Sequence, residues 1–176
     1  MVRSRWYWVP LFFSGACCSS SAVAGTTTAT FQVSAIIKNG CALGTSSASS
    51  TSNFGTINFG TMTAITANVD TASTTGAGSI IVTCTPGMAI TIALDYGVNG
   101  GSATKRYLAL GQHLLGYQLY QDASHSVVWG LGSLAYSVSA FPQTTQTYTV
   151  YGRLFSSSTL PTTGTYTDTV TVTLAY

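Results

Sequence analysis

The 176 residues carry six Lys and Arg against four Asp and Glu, a formal charge of +2, with 45% apolar side chains and ten tyrosines. So few charges exclude the clustered positive face that phosphate backbones require. They equally exclude strong attraction to anionic membranes, and the high apolar fraction excludes a disordered chain.

Residues 1–24 read as a secretory signal. Arg3 and Arg5 supply the positive start, Trp6 to Cys18 an apolar run, and Ala22-Val23-Ala24 a small-x-small cleavage site. About thirteen apolar residues interrupted by Pro10 fall short of the roughly 20 that span a bilayer. A lipoprotein-type site at Cys17 or Cys18 is the alternative, although the usual Leu three residues before the cysteine is missing. Cleavage would expose Gly25 and remove the whole net charge, leaving Lys38, Lys105, Arg106 and Arg153 against Asp70, Asp95, Asp122 and Asp168. The remaining 150 or so residues suit one domain with a real core.

The first element is a strand over 29–37. Ala29, Phe31, Val33, Ala35 and Ile37 share one face and Thr30, Gln32 and Ser34 the other, the period-2 alternation of a half-buried strand. Nothing local demands that apolar face, so it is expected to be buried in another molecule. Asn39-Gly40-Cys41 follows, then a Thr/Ser tract from Thr45 to Asn53 read as a loop. Asn53-Phe54-Gly55 and Asn58-Phe59-Gly60 each hold one aromatic between turn residues, a pattern that suits a core plug.

From Ser79 the strand signals are regular. Ile80, Val82 and Cys84 share a face; after Pro86-Gly87 so do Met88, Ile90, Ile92 and Leu94, which predicts two adjacent antiparallel strands. Leu115, Tyr117 and Leu119 alternate next, and then Tyr148, Val150, Gly152 and Leu154. The end is the clearest strand, with Tyr166, Val170, Val172, Leu174 and Tyr176 on one face and Thr167, Thr169, Thr171 and Thr173 on the other. Its free edge is expected to need a cover from elsewhere. No segment keeps a 3.6-residue period over three turns, so the fold class is all-β, an antiparallel sandwich.

Export leaves two cysteines, Cys41 and Cys84, which an oxidising compartment would join. A metal site would need more ligands than His113 and His125 provide at zinc-site spacing, so no metal and no cofactor is expected. Catalysis has little to work with. The aspartates are too scattered for paired-carboxylate chemistry, with Asp95 and Asp122 placed as turn-formers. No serine sits in a nucleophile elbow, and Gly97 to Gly101 lacks the Lys-Ser/Thr of a phosphate loop. His125, between two serines, reads as a solvated loop residue. The chain is therefore read as a non-enzyme.

Taken in order, several short pieces form a pattern: the alternating segment ending at Gly40-Cys41, Asn53-Phe54-Gly55, Val82-Thr83-Cys84, Leu94-Asp95-Tyr96-Gly97, Arg106, Leu115 to Asp122, Trp129-Gly130, Tyr151-Gly152 and Gly164 to Val170. With them the mature chain resembles the spore coat protein U domain family, whose best understood members are the Csu-type subunits of archaic chaperone–usher pili. The resemblance implies an incomplete immunoglobulin-like β-sandwich completed by a donor strand, strand addition of the kind pilins use. It implies residues 25–38 as the donor segment and 39–176 as the pilin domain. Ala29, Phe31, Val33, Ala35 and Ile37 would be the donor plugs, and Val170, Val172, Leu174 and Tyr176 would line the acceptor groove. Cys41 and Cys84 match the family's disulfide positions. Ala35 departs from the larger plug usual at its place. The implied partners are a periplasmic chaperone, an outer-membrane usher and neighbouring pilin subunits, with export through the periplasm to the cell surface. The implied role is a fibre subunit serving adhesion and biofilm formation. The alternative is a fimbrial tip adhesin or surface-binding module that uses loops carrying Leu131, Leu134 and Phe141.

Overall fold

Period-2 alternation becomes pairing through most of the chain, but the partners are not sequence neighbours. The computed structural model describes residues 26–36, 38–44 and 53–176. The expected signal over 1–24, with Cys17 and Cys18, and also Ile37 and most of the Thr/Ser tract thus lie outside the described residues. The chain divides into two units, Met1–Ile36 and Ile37–Tyr176. In the first, residues 26–36 form no helix or strand and are exposed, with Phe31 at 86% and Val33 at 84%.

The second unit is built of ten strands among the described residues: β1 Cys41–Leu43, β2 Val69–Ala72, β3 Ile80–Cys84, β4 Ile90–Leu94, β5 Arg106–Leu110, β6 His113–Tyr120, β7 Tyr136–Val138, β8 Gln146–Tyr148, β9 Tyr151–Leu154 and β10 Val172–Ala175. A single 3-10 turn spans Gly132–Leu134. The strands form three antiparallel sheets, ordered β1-β3-β8, β10-β4-β7 and β2-β9-β6-β5. Their inward rows meet in one core, including Ile80 and Val82 of β3, Ile90, Ile92 and Leu94 of β4, Leu119 of β6 and Leu154 of β9. Burial alternates along β4 as the sequence pattern requires. Trp129, 1% exposed, donates its indole N–H to the Ile92 carbonyl at 2.9 Å, so the largest core side chain brings no unpaired donor inside.

Three expectations are corrected here. β3 and β4 do not pair with each other: β3 is flanked by β1 and β8, and β4 by β10 and β7, which leaves neither an edge for the other. The Pro86-Gly87 turn therefore carries the chain between sheets, with Gly87 at φ 82° donating its N–H to the Phe141 carbonyl at 2.8 Å. The run from Tyr148 to Leu154 is two strands in different sheets, because the chain changes partner at residues 149–150. The terminal run is divided likewise. Thr167 exchanges both main-chain hydrogen bonds with Ala109 of β5, whereas regular pairing to β4 covers only Val172–Ala175.

Cys41 and Cys84 are joined, as expected, at the end of the β1–β3 ladder where the two residues face each other. The bridge ties the start of the domain to a core strand. Phe54 and Phe59 are half-buried and pack against the core, the plug role expected of them.

Candidate functional site: a groove beside the terminal strand

The terminal strand has one satisfied edge. The Thr171 carbonyl accepts from the Asp95 N–H at 3.1 Å, and the Thr171 N–H donates to Asp95 Oδ1 at 2.9 Å. In an antiparallel ladder successive residues alternate the edge to which they present their main-chain groups. The N–H and C=O of Val172 and Leu174 therefore point to the opposite edge, where no strand pairs among the described residues.

Beside that edge lies a cavity of about 610 Å³. Residues 168–172 form one rim and residues 53–57 the other, with Ile80, Leu94, Leu119 and Val150 among the side chains between them. The second rim is shaped by its own sequence. Asn53 Oδ1 accepts from the Gly55 N–H and Asn58 Oδ1 from the Gly60 N–H, each at 2.8 Å, so the paired Asn-Phe-Gly motifs are two Asx-type bends. Gly55, at φ 88°, could carry no side chain, because a Cβ there would lie 1.9 Å from the Gly76 carbonyl oxygen. The bends present Phe54 and Phe59 to the groove.

Val170 and Val172 line the groove, and Leu174 packs against the core beyond it. Tyr176 is 66% exposed and lines a separate, shallower hollow with Ile90 and Val138. Ala29, Phe31, Val33 and Ala35 are exposed on their own unit, and Ile37 lies outside the described residues.

One end of the groove is polar. Tyr117 Oη donates to Asp168 Oδ2 at 2.6 Å, while Asp168 Oδ1 accepts from the N–H groups of Val98 at 3.0 Å and Thr169 at 2.9 Å and from Asn99 Nδ2 at 3.1 Å. Burial, and then the bond to this carboxylate, push the Tyr117 hydroxyl far above the ordinary phenol range, so it remains a donor at any physiological pH. Close by, Arg106 is fully buried. It donates from Nε and Nη2 to the Asp95 carbonyl at 2.9 and 2.6 Å, from Nη2 to the Trp129 carbonyl at 2.8 Å, and from Nη1 to Gln118 Oε1. The Tyr96 ring lies 5.4 Å from the guanidinium carbon. Burial draws the Arg106 pKa down, and carbonyl dipoles solvate the cation in place of water.

The other polar residues described hold turns and cross-strand pairs. Asp95 and Asp122 are turn-formers as expected: Asp95 Oδ1 accepts from the Gly97 N–H at 3.0 Å, and Asp122 Oδ1 from the Val127 N–H at 2.7 Å. Hydrogen bonding within its loop, first from Ser124, holds the Asp122 carboxyl well below the usual carboxylate range. His125 corrects the sequence reading, since its side chain is 7% exposed rather than solvated. With a φ of 58° it turns inward, edge-on to Tyr120, and brings Nδ1 3.2 Å from Arg153 Nη2. Arg153 is itself bidentate to its cross-strand neighbour Asp70 at 2.6 and 2.7 Å. Phe141, read as an exposed loop residue, is 2% exposed in the core, whereas Leu131 is 43% exposed. No group of three or more His, Cys, Asp or Glu able to hold a metal occurs among the described residues.

The sequence motifs gave no sign that Tyr117 and Asp168 would meet, being 51 residues apart. What could have flagged them is shared type: a tyrosine on the apolar face of one strand and the only acidic residue in the terminal run.

The Spore Coat Protein U domain matches residues 27–173. No curated protein matches the sequence. Among solved structures, the chain is similar to one in the crystal structure of the CsuC–CsuE chaperone–tip adhesion subunit pre-assembly complex from archaic chaperone–usher Csu pili of Acinetobacter baumannii. That likeness has a TM-score of 0.52 and 22% identity over 80% of this chain, which spans 40% of the length of the other. The P pilus rod subunit PapA gives a TM-score of 0.44 and 16% identity, with 77% and 98% of the two chains covered. The all-β, immunoglobulin-like fold is common to this chain and the first of these.

Proposed function

This chain belongs to the Spore Coat Protein U domain family, and from that premise we propose that it is a structural subunit of a chaperone–usher pilus that polymerises by donor-strand exchange. One observation carries the reading: an open strand edge beside an apolar groove at Val170 and Val172, in a chain that also bears an exposed alternating segment. Each half lacks what the other offers. The segment has an apolar row at Ala29, Phe31, Val33, Ala35 and Ile37 that water solvates poorly, and the groove has an apolar lining and unpaired main-chain groups.

In this reading residues 25–38 are the donor segment and 39–176 the acceptor domain. A periplasmic chaperone holds the groove first, an outer-membrane usher presents the subunit for exchange, and the neighbouring subunit's segment replaces the chaperone. The product is a surface fibre serving adhesion and biofilm formation, and the chain's own work is structural rather than catalytic.

The test is a deletion of Gly25 to Ser34. The shortened subunit keeps its groove and should still bind the chaperone and accept a donor, yet it should not plug another subunit. Added to full-length subunits, it should therefore end chains early and shorten the ladder of assemblies that survive unheated detergent gels. An unshortened ladder, in which the deleted subunit also takes internal positions, would rule out the donor role.

A further inference from the structure

We infer that Tyr117 and Asp168 position the acceptor rim: the clasp they form holds residues 167–171 ready for an incoming strand before any strand arrives. The inference rests on the donor-strand reading and adds to it a device within the acceptor itself.

Many of the short sequence pieces that run through the chain have no evident shared purpose until they fold. Arg106 then joins the carbonyls of Leu94, Asp95 and Trp129, and Tyr117 joins Asp168, with Leu94, Tyr117 and Asp168 lining the groove. The terminal segment passes this point as it leaves the edge of β5 at Thr167 and joins β4 at Val172. The first inward side chain after Thr167 is the carboxylate of Asp168, where the alternation of Tyr166, Val170 and Val172 would put an apolar group. That carboxylate takes hydrogen bonds from three directions: the β6 tyrosine, the 97–99 loop and its own next residue.

The neighbouring backbone is shaped to admit it. A Cβ on Gly97, at φ 81°, would stand 2.0 Å from Asp168 Oδ2, so only glycine lets the loop close on the carboxylate. The loop is held in turn by Asp95, which also caps the Thr171 N–H, and the Asp95 carbonyl is held by the buried Arg106. The rim is thus fastened at residues 167, 168 and 171 by groups of β5, β6 and the 95–99 loop, before any strand enters. An unfastened rim would have to be ordered by each incoming strand; a rim already in place removes that entropic cost from the exchange.

A merely stabilising cluster would affect donor and acceptor roles alike, whereas a positioning clasp affects accepting alone. The mature full-length chain is refolded with its disulfide intact in the presence of a fluorescein-labelled peptide spanning residues 26–38, and uptake is followed by anisotropy. Wild type should take up the peptide. Tyr117→Phe and Asp168→Asn should take it up about tenfold less well, the size of one hydrogen bond to a charged group.

Mixed with a full-length Phe31→Asp chain, which keeps its groove but donates poorly, Tyr117→Phe should fill that groove as readily as wild type does. Equal peptide uptake by Tyr117→Phe and wild type, or an equal loss of donor activity in the mixture, overturns the clasp. So does failure of Tyr117→Phe to fold, because the pair would then be a folding requirement. Failure of wild type itself to take up the peptide would strike the donor-strand reading instead.

Discussion

Replacing Phe31 with aspartate should separate the fold of the subunit from its assembly. Phe31 is 86% exposed, so in the isolated chain Phe31→Asp removes almost no buried surface and should leave the thermal midpoint unchanged within error. In a fibre the same side chain would be buried in a neighbour's groove, and burying a phenylalanine is worth roughly 1.5–3 kcal/mol. At 1.4 kcal/mol per tenfold, its loss alone weakens the linkage by about 10- to 150-fold. Placing a carboxylate in an apolar groove adds a desolvation penalty on top. Gln32→Asp is the control, since its side chain points away from the plug row and would stay in solvent. The assay pairs thermal unfolding of the monomer with unheated detergent gels of the assembled protein over a concentration series. If Phe31→Asp lowered the monomer's midpoint by as much as it weakened assembly, or if Gln32→Asp matched it in assembly, the segment would belong to its own fold and the reasoning would fail.

Replacing both cysteines by serine opens a loop of 43 residues, worth up to about 4 kcal/mol on the chain-entropy model, and should lower the thermal midpoint by roughly 10–15 °C in calorimetry. Arg106→Lys keeps the charge but cannot reach Gln118, the Asp95 carbonyl and the Trp129 carbonyl together; a loss of about 3 kcal/mol in urea unfolding is expected, and an unchanged midpoint would contradict the role given to the guanidinium. In acid, Asp70 is depressed first by its bond from Arg153, and Asp122 by the donors of its loop. Folded carboxylates with lowered pKa contribute stability that is present above the unfolded value near 3.8 and is lost as pH falls through the folded value. The thermal midpoint should therefore hold from pH 7 to 5 and decline below about pH 4. Asp122→Asn should flatten that decline, and an unaltered acid slope would show that the loop contacts do not form in solution.

The sequence by itself determined what is local or follows from counting. Alternation at Ile90, Ile92 and Leu94 imposes a strand with one buried face wherever that strand ends up, because successive side chains must point to opposite sides. The expected removal of residues 1–24 would leave two cysteines and one possible pairing, Cys41 with Cys84, and that bond is present. The Asn-Phe-Gly echo specified its own bends, since the Asn side chain bonds the N–H two residues on without help from elsewhere.

Only the tertiary structure decided which strands meet. β3 and β4 are joined by a short turn yet lie in different sheets, and one alternating run from Tyr148 to Leu154 serves two sheets; period 2 says that an edge needs a partner but not which one. His125 and Phe141 show the same limit for single residues. Their flanking sequences are those of exposed loops, and their burial comes from Tyr120, Arg153 and the core, none of which local sequence announces. The Tyr117–Asp168 clasp is the extreme case. A carboxylate in an apolar row looks like a defect in the strand until the fold brings a buried hydroxyl and two loop donors from 51 to 70 residues away to meet it.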